Sequence, residues 1–333
     1  MDVAMWGRAL RVIPQVDREQ WSKLDVVARW LIASRSAVFV ITAISVGIAG
    51  LLAVRNGVFQ PGLFALLAVG LIMAHATNNI VNDMTDYWKG VDRGNYFRAQ
   101  YGPQPLEHGL LNARQMTMYA AFSGAVALAA GIVLVVLRGG LTLPLLGAGV
   151  FFVLLYTYPL KYIGLGELAV LLVWGPLMIG GGYYVLSGVW SWSVVIASLP
   201  YALGATTVIF GKHIDKLTGD RQKGIRTLPV LMGEHASRNV AMGMMAFQYL
   251  FVGYLVATGF FTPALLIVLL ALPKFVQVSR IFARPRPTEP PEEHPRSGWP
   301  LWFVSWAFVH NRAFGALFML GLIADVVLKR FVL

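Results

Sequence analysis

The chain has 333 residues, of which 57% are apolar and only 13% are charged, and its mean hydropathy is +0.65. This composition is typical of polytopic membrane proteins. The absence of cysteine excludes disulfides, zinc thiolates and thiol nucleophiles. The formal net charge of +11 is divided among short segments and forms no single basic stripe, so we do not predict nucleic-acid binding.

The first apolar run begins only after some 36 mixed residues, so we expect no cleavable signal peptide. Within this segment, residues 19–32 have apolar side chains at helical spacing. We therefore expect residues 1–36 to form an amphipathic segment on the inner membrane face. Residues 37–333 are expected to form a single membrane domain.

Nine apolar stretches approach the length of about 20 residues that a membrane-spanning helix needs. The sequence therefore predicts an all-α polytopic membrane protein with spans at 37–54, 62–82, 115–137, 141–158, 168–187, 191–211, 240–258, 263–279 and 313–328. The polar loops at about 83–114, 211–239 and 280–300 would be cytoplasmic, and the last of these is Pro-rich.

The distribution of basic residues supports an odd number of spans. With a cytoplasmic N-terminus, only Arg55, Arg138, Lys329 and Arg330 of the 27 lysines and arginines fall on the opposite side. This asymmetry is what the positive-inside rule predicts. We expect a multi-pass protein of the cell (inner) membrane.

A first cluster of polar residues lies at the end of the second span. Asn79, Asp83 and Asp86 are three or four residues apart and so share one helix face, with Asn82 beside them. A carboxylate at membrane depth costs about 2.5–3.5 kcal/mol, so several together need a compensating partner. Grouped oxygen ligands suit Mg²⁺, which often shares its coordination with substrate phosphates.

A second cluster, Asp215 and Asp220, lies at the end of the sixth span and flanks Thr218-Gly219, so we expect the helix to break between the two aspartates. The basic run that follows contains Arg226, which we predict to bind phosphate. The negative charge of four aspartates and a diphosphate exceeds the positive charge of two Mg²⁺ by roughly three units. Lys161, Lys212 and Arg226 would balance this excess.

These residues resemble the motifs of the intramembrane prenyltransferases of the UbiA superfamily. The matching features are Asn82-Asp83-x-x-Asp86 with Asn79 before it, the pair Asp215 and Asp220, and Gly224-x-Arg226-Thr227-Leu228. The resemblance implies a nine-helix UbiA-like bundle with both clusters on the cytoplasmic side. It also implies that a polyprenyl group is transferred from its diphosphate with Mg²⁺ as the cofactor.

Within that superfamily the chain looks most like the 1,4-dihydroxy-2-naphthoate prenyltransferases of menaquinone synthesis, on the stretches 82–92, 164–168 and 308–312. Two features depart from the family pattern. Asp215 and Asp220 are five residues apart, where four is usual, and Thr157 occupies the tyrosine position of the family's Tyr-x-x-x-Lys element ending at Lys161. The acceptor could instead be a hydroxybenzoate, a homogentisate or a glycerol phosphate.

The resemblance and the charges together assign expected roles. The metal ligands would be Asn79, Asp83, Asp86, Asp215 and Asp220, and the four aspartates with Lys161 would be catalytic. The diphosphate would be bound by Lys161, Lys212, Arg226 and Asn82. The rings of Tyr156 and Tyr158 would shelter an allylic cation, or else serve as ordinary interfacial tyrosines. The partners would be a prenyl diphosphate, an aromatic acceptor and the lipid bilayer, with no obligate protein partner. A cation or metabolite transporter is the rival class.

Overall fold

The computed structural model describes residues 2–91, 93–94, 102–291 and 299–332, and these residues form helices and turns with no strand. Three short helices, α1 (Val3–Ala9), α2 (Arg18–Lys23) and α3 (Val26–Ala33), precede the membrane domain. The membrane helices are α4 (Ser36–Arg55), α5 (Pro61–Trp88), α6 (Ala113–Arg138), α7 (Thr142–Leu155), α8 (Gly166–Ser187), α9 (Trp192–Asp215), α12 (Glu234–Ala257), α13 (Pro263–Phe282) and α14 (Trp302–Arg330). Between α9 and α12 lie the short helices α10 (Leu217–Gln222) and α11 (Leu228–Met232).

The predicted all-α membrane fold is confirmed. Eight of the described helices are long and apolar enough to cross a membrane, and α7 is apolar but has only 14 residues. The last helix begins at Trp302, eleven residues before the predicted start, because Ser305, His310 and Asn311 lower the local hydropathy of what is still one continuous helix. The predicted loop at 211–239 is largely helical, and the predicted loops at 83–114 and 280–300 fall partly outside the described residues.

Contacts between helix ends indicate that α7 also crosses the membrane. Arg55, at the end of α4, binds Asp325 near the end of α14 and the carbonyl of Phe260 after α12. Asn56 donates a hydrogen bond of 2.8 Å to Tyr183 near the end of α8. These helix ends therefore lie on one side of the membrane. Between the end of α4 and the end of α8 the chain must therefore cross the membrane an even number of times. The helices α5, α6 and α8 give three crossings, and α7 makes the number even.

By its internal contacts the chain divides into two compact units, residues 1–44 with 65–158 (unit 1) and residues 45–64 with 159–333 (unit 2). In unit 1 the N-terminal segment packs its apolar residues, Trp21 and Ile32 among them, on Ile80 and Met84 of α5. Asp25 accepts hydrogen bonds from the backbone N–H of Ala28 and of Asp2 and from the Trp6 indole. The first of these bonds is the main reason that the pKa of Asp25 is lowered to about 2.

In unit 2 the central helix is α9, which packs against α8, α12 and α14. Close approach is possible because small residues face the neighbouring helices. A Cβ at Gly211 would lie 2.8 Å from the Phe303 carbonyl oxygen. The end of α9 therefore lies directly against the start of α14, and this contact determines the surroundings of the second acidic cluster.

The ion pair between Arg55 and Asp325 is buried, with Nε and Oδ2 2.6 Å apart, and Oδ1 of Asp325 accepts the Thr262 N–H. Asp325→Ala leaves the guanidinium buried without its counter-ion, so we expect a loss of about 3–5 kcal/mol in stability. The measurement is the unfolding temperature in detergent. Arg55→Met combined with Asp325→Leu should recover part of the loss. Glu19→Ala, which breaks the exposed Lys23–Glu19 pair, is the control with little expected effect. An unchanged unfolding temperature in Asp325→Ala would contradict this assignment.

Candidate active site

The first acidic cluster lies in unit 1, on the last three turns of α5. The predicted stripe is present and buried, with Asn79 9%, Asp83 4% and Asp86 7% exposed. The three residues share this face because they follow the helical repeat. The helix ends at Trp88, and Gly90 after it has a φ of 69° in the left-handed region. The stripe thus brings two carboxylates and an amide together at a helix end.

Arg35 is a member of this cluster that the sequence analysis used only as a topology signal. Its Nη2 donates to Oδ1 of Asp83 at 2.8 Å, to Oδ1 of Asn82 at 3.2 Å and to the backbone carbonyl of Asn79 at 3.1 Å. Arg35 has a φ of 54°, which is uncommon for a residue with a side chain. Its position one residue before the first span is the signal that could have identified it.

The amides of the first cluster are held by the protein. Asn82 donates from Nδ2 to the Thr157 hydroxyl at 2.9 Å, and Asn79 donates from Nδ2 to the Ser34 carbonyl at 2.8 Å. Because its Oδ1 accepts from Arg35, the Asn82 amide has protein partners at both ends. The structure therefore gives Asn82 an orienting role, and its contact with diphosphate stays a prediction.

The two tyrosines near the first cluster differ in their surroundings. The side chain of Tyr158 is 50% exposed, and the Lys89 ammonium lies 3.7 Å from the centroid of its ring. A ring face that already binds one cation is a poor shelter for a second. Tyr156 is half-buried. Of the two, Tyr156 is the better candidate for the predicted role.

The second acidic cluster lies in unit 2. The predicted helix break between the two aspartates is confirmed, and it lies at Lys216, between α9 and α10. Asp215 is buried, and its two carboxylate oxygens accept the backbone N–H groups of Phe303 and Val304 at 3.0 Å each. These are amides of the first turn of α14, which have no partner within the helix. Asp215 therefore caps the last membrane helix, a role that the sequence did not indicate.

Asp220 lies on α10 and is 2% exposed. Its Oδ1 is 3.3 Å from the Lys216 ammonium, whereas its Oδ2 is buried with no hydrogen-bond partner in the described part of the chain. A buried carboxylate oxygen without a partner is costly and suits an additional cation. Lys216, which the sequence analysis counts only among the basic residues of the cytoplasmic side, is thus also part of this cluster.

The predicted basic residues of unit 2 differ in exposure. Lys161 is buried in the turn Leu160–Ile163, Lys212 is half-buried near the end of α9, and Arg226 is exposed after α10. Near them lies a buried pair that the sequence analysis did not identify. Oε1 of Glu167 is 2.6 Å from Nδ1 of His213. Glu167 lies in one of the family-like stretches, and that was its only signal in the sequence.

The donor set fits a hard divalent cation in part. Carboxylate and amide oxygens are the ligands that Mg²⁺ prefers, and Oδ2 of Asp220 is a buried oxygen in need of a partner. Asp215 could bind a metal only through lone pairs beyond those that accept its two amide hydrogens. Within residues 2–91, 93–94, 102–291 and 299–332, no three acidic or histidine side chains form a ready metal site.

The chain is similar to known proteins over most of its length. The UbiA prenyltransferase family model matches residues 43–294. The human UbiA prenyltransferase domain-containing protein 1 is 27% identical over 276 residues, covering 81% of this chain and 80% of the relative. Across the relatives of that name, the match covers between 62% and 80% of their own length.

Solved structures have the same fold. A UbiA homolog from Aeropyrum pernix K1, in its apo form, superposes with a TM-score of 0.63 at 19% identity, covering 86% of this chain and 97% of that one. A UbiA homolog from Archaeoglobus fulgidus bound to GPP and Mg²⁺ superposes with a TM-score of 0.51 at 14% identity, covering 84% and 98%.

Asp215 and Asp220 should differ in what they contribute to stability. Asp215→Ala leaves two buried amides at the start of α14 without acceptors. Each unsatisfied amide should lower the stability by about 1–3 kcal/mol. Asp220→Ala removes the 3.3 Å contact with Lys216, but it also removes a buried oxygen that has no partner among the described residues, which offsets part of the cost. We therefore expect a smaller loss than for Asp215→Ala. The measurement is the unfolding temperature of both variants in the same detergent. Equal unfolding temperatures would show that Asp215 does not cap the helix.

Proposed function

Because the chain belongs to the UbiA prenyltransferase family, we propose that it transfers a polyprenyl group from its diphosphate to 1,4-dihydroxy-2-naphthoate, with loss of the ring carboxylate. The product would be of the demethylmenaquinone type. The proposal depends mainly on one observation, the buried stripe of Asn79, Asp83 and Asp86 at the end of α5. The acceptor is supported by the family-like stretches 82–92, 164–168 and 308–312.

The proposed metal ligands are the oxygens of both acidic clusters: Asn79, Asp83, Asp86, Asp215 and Asp220. When bound there, Mg²⁺ would act as a Lewis acid that stabilises the leaving diphosphate. Arg35 now pairs with Asp83, so a cation at this carboxylate would share it with the guanidinium or displace it. The first cluster lies at the end of α5 and the second at the end of α9 and in α10. We propose that both clusters lie on the cytoplasmic side of the membrane.

The chain's own cations would complete the charge balance. Lys161, Lys212 and Arg226 would place positive charge where negative charge builds up as the bond between the allylic carbon and the diphosphate oxygen breaks. Lys161 is buried, so its charge acts in surroundings of low dielectric constant, where it has more effect than in water. The ring carbon of the acceptor would then form the new bond to the allylic carbon, with Tyr156 facing the cation.

Other acceptors remain alternatives within the same reaction class: a hydroxybenzoate, a homogentisate or a glycerol phosphate. Membership of a prenyltransferase family argues against the transporter class.

The acceptor is tested with purified protein, Mg²⁺, labelled farnesyl or geranylgeranyl diphosphate and a panel of the four acceptors. We expect a prenylated product with 1,4-dihydroxy-2-naphthoate alone, loss of turnover with a chelator and recovery with Mg²⁺. Product formation with another acceptor only would refute the proposed substrate. Turnover that continues in the chelator would refute the role of the metal.

The ligand residues are tested by Asp83→Asn and Asp220→Asn, which keep the side-chain size and remove the charge. We expect each to lower kcat/KM at least 100-fold, about 2.7 kcal/mol of transition-state stabilisation. Glu19→Gln, on an exposed helix of the N-terminal segment, is the control with near-normal turnover. Near-normal activity in either aspartate variant would remove that residue from the proposed site.

A further inference from the structure

Glu167 lies at the start of α8, only 1% exposed, and both of its carboxylate oxygens are engaged. Oε1 is 2.6 Å from Nδ1 of His213, and Oε2 accepts the backbone N–H of Leu228 at 3.3 Å. These contacts reach two other segments of unit 2, the last turn of α9 and the first residue of α11. One side chain thus joins three segments that are distant in the sequence.

Each of the three segments also contributes a residue proposed to act on the diphosphate. Glu167 follows Lys161 by six residues, His213 follows Lys212 directly, and Leu228 lies two residues after Arg226. The side chain of Arg226 is exposed, so its position depends on the backbone that precedes α11. That backbone is held on one side by Ile225, whose N–H donates to the Asp220 carbonyl at 2.9 Å. On the other side it is held by Glu167 through Leu228.

Close packing around Glu167 supports a fixed geometry. Gly164 has a φ of 81°, and a Cβ there would lie 2.5 Å from Leu231 Cδ1 and 3.4 Å from the Arg226 carbonyl oxygen. A Cβ at Gly166 would lie 3.2 Å from the Cα of Lys161. The turn that contains Lys161 and the loop that contains Arg226 are therefore in direct contact. A shift of either backbone would change both.

Stability alone is a poor explanation for the buried pair, because an apolar replacement of the same size often stabilises a protein as well or better. We propose that Glu167 is a positioning residue: through Leu228 it holds the loop Gly224–Thr227 so that Arg226 meets the diphosphate. This inference rests on the proposed function. It adds a residue that contacts neither substrate and acts through Arg226.

The test is a double-variant cycle of Glu167→Ala and Arg226→Gln, with Glu167→Gln as the conservative variant. We expect each of the two single variants to raise the KM for prenyl diphosphate about 10-fold and to lower kcat as well, because Arg226 also stabilises the leaving diphosphate. The acceptor KM should change less than 2-fold. In the double variant the KM for prenyl diphosphate should also be about 10-fold higher than in the wild type, because the two residues act on the same contact. Glu167→Gln keeps an acceptor for Leu228 and should lie closer to wild type. Glu234→Gln, at an exposed position of α12, is the matched control.

A 100-fold rise of this KM in the double variant would show that the two residues act independently, and it would overturn the proposal. A normal KM in Glu167→Ala would overturn it as well. Hydrogen exchange of the peptide 224–232 gives a readout without catalysis, and it should be faster in Glu167→Ala than in Glu234→Gln. Unchanged exchange also overturns the proposal. If the wild type prenylates no acceptor, the proposed function fails by itself. The same cycle is then measured with inorganic diphosphate and Mg²⁺, whose binding should weaken about 10-fold in each single variant and no further in the double variant.

Discussion

A carboxylate buried at the end of a membrane helix must be held by a partner, and this requirement shapes both units of the molecule. Removing the partner of such a buried charge costs about 3–5 kcal/mol. Four of the compensated carboxylates join segments that are far apart in the sequence: Asp83 with Arg35, Glu167 with His213 and Leu228, Asp215 with the first turn of α14, and Asp325 with Arg55. The side chains whose charges are costly to bury therefore also form contacts that hold the helix ends together.

The two aspartates of the second cluster meet this requirement in different ways. Asp215 satisfies both oxygens with main-chain amides, so its place is determined by the last helix. Asp220 has one oxygen with no partner among the described residues, and it lies on a separate short helix. Their five-residue spacing, unusual for the family, follows from the end of α9 at Asp215 and the start of a new helix at Leu217. The two residues are not equivalent halves of one motif.

The sequence predicted the spans and the first polar stripe because both are local properties. Hydropathy over some 20 residues determines a span, and the helical repeat alone places Asp83 and Asp86 on one face. It did not predict the partners. Arg35 reaches Asp83 across 48 residues, and Asp215 reaches Phe303 across 88, and no local pattern records such distances. The late predicted start of α14 has a related origin, since one of the polar residues that lower its hydropathy, His310, has a partner on another helix, the Tyr249 hydroxyl at 3.0 Å from Nε2.

The departure of this chain from the family's Tyr-x-x-x-Lys element has a physical explanation in unit 1. Thr157 is 1% exposed, and its short side chain places a hydroxyl 2.9 Å from the amide nitrogen of Asn82. A tyrosine at this position would carry its hydroxyl several ångströms further from the backbone and would leave that amide without its acceptor. Asn82 would then be oriented only by Arg35, which also binds the neighbouring carboxylate of Asp83. Threonine at 157 and the arginine of the first cluster are thus two parts of one arrangement, in which the amide is oriented from one side and the carboxylate is neutralised from the other.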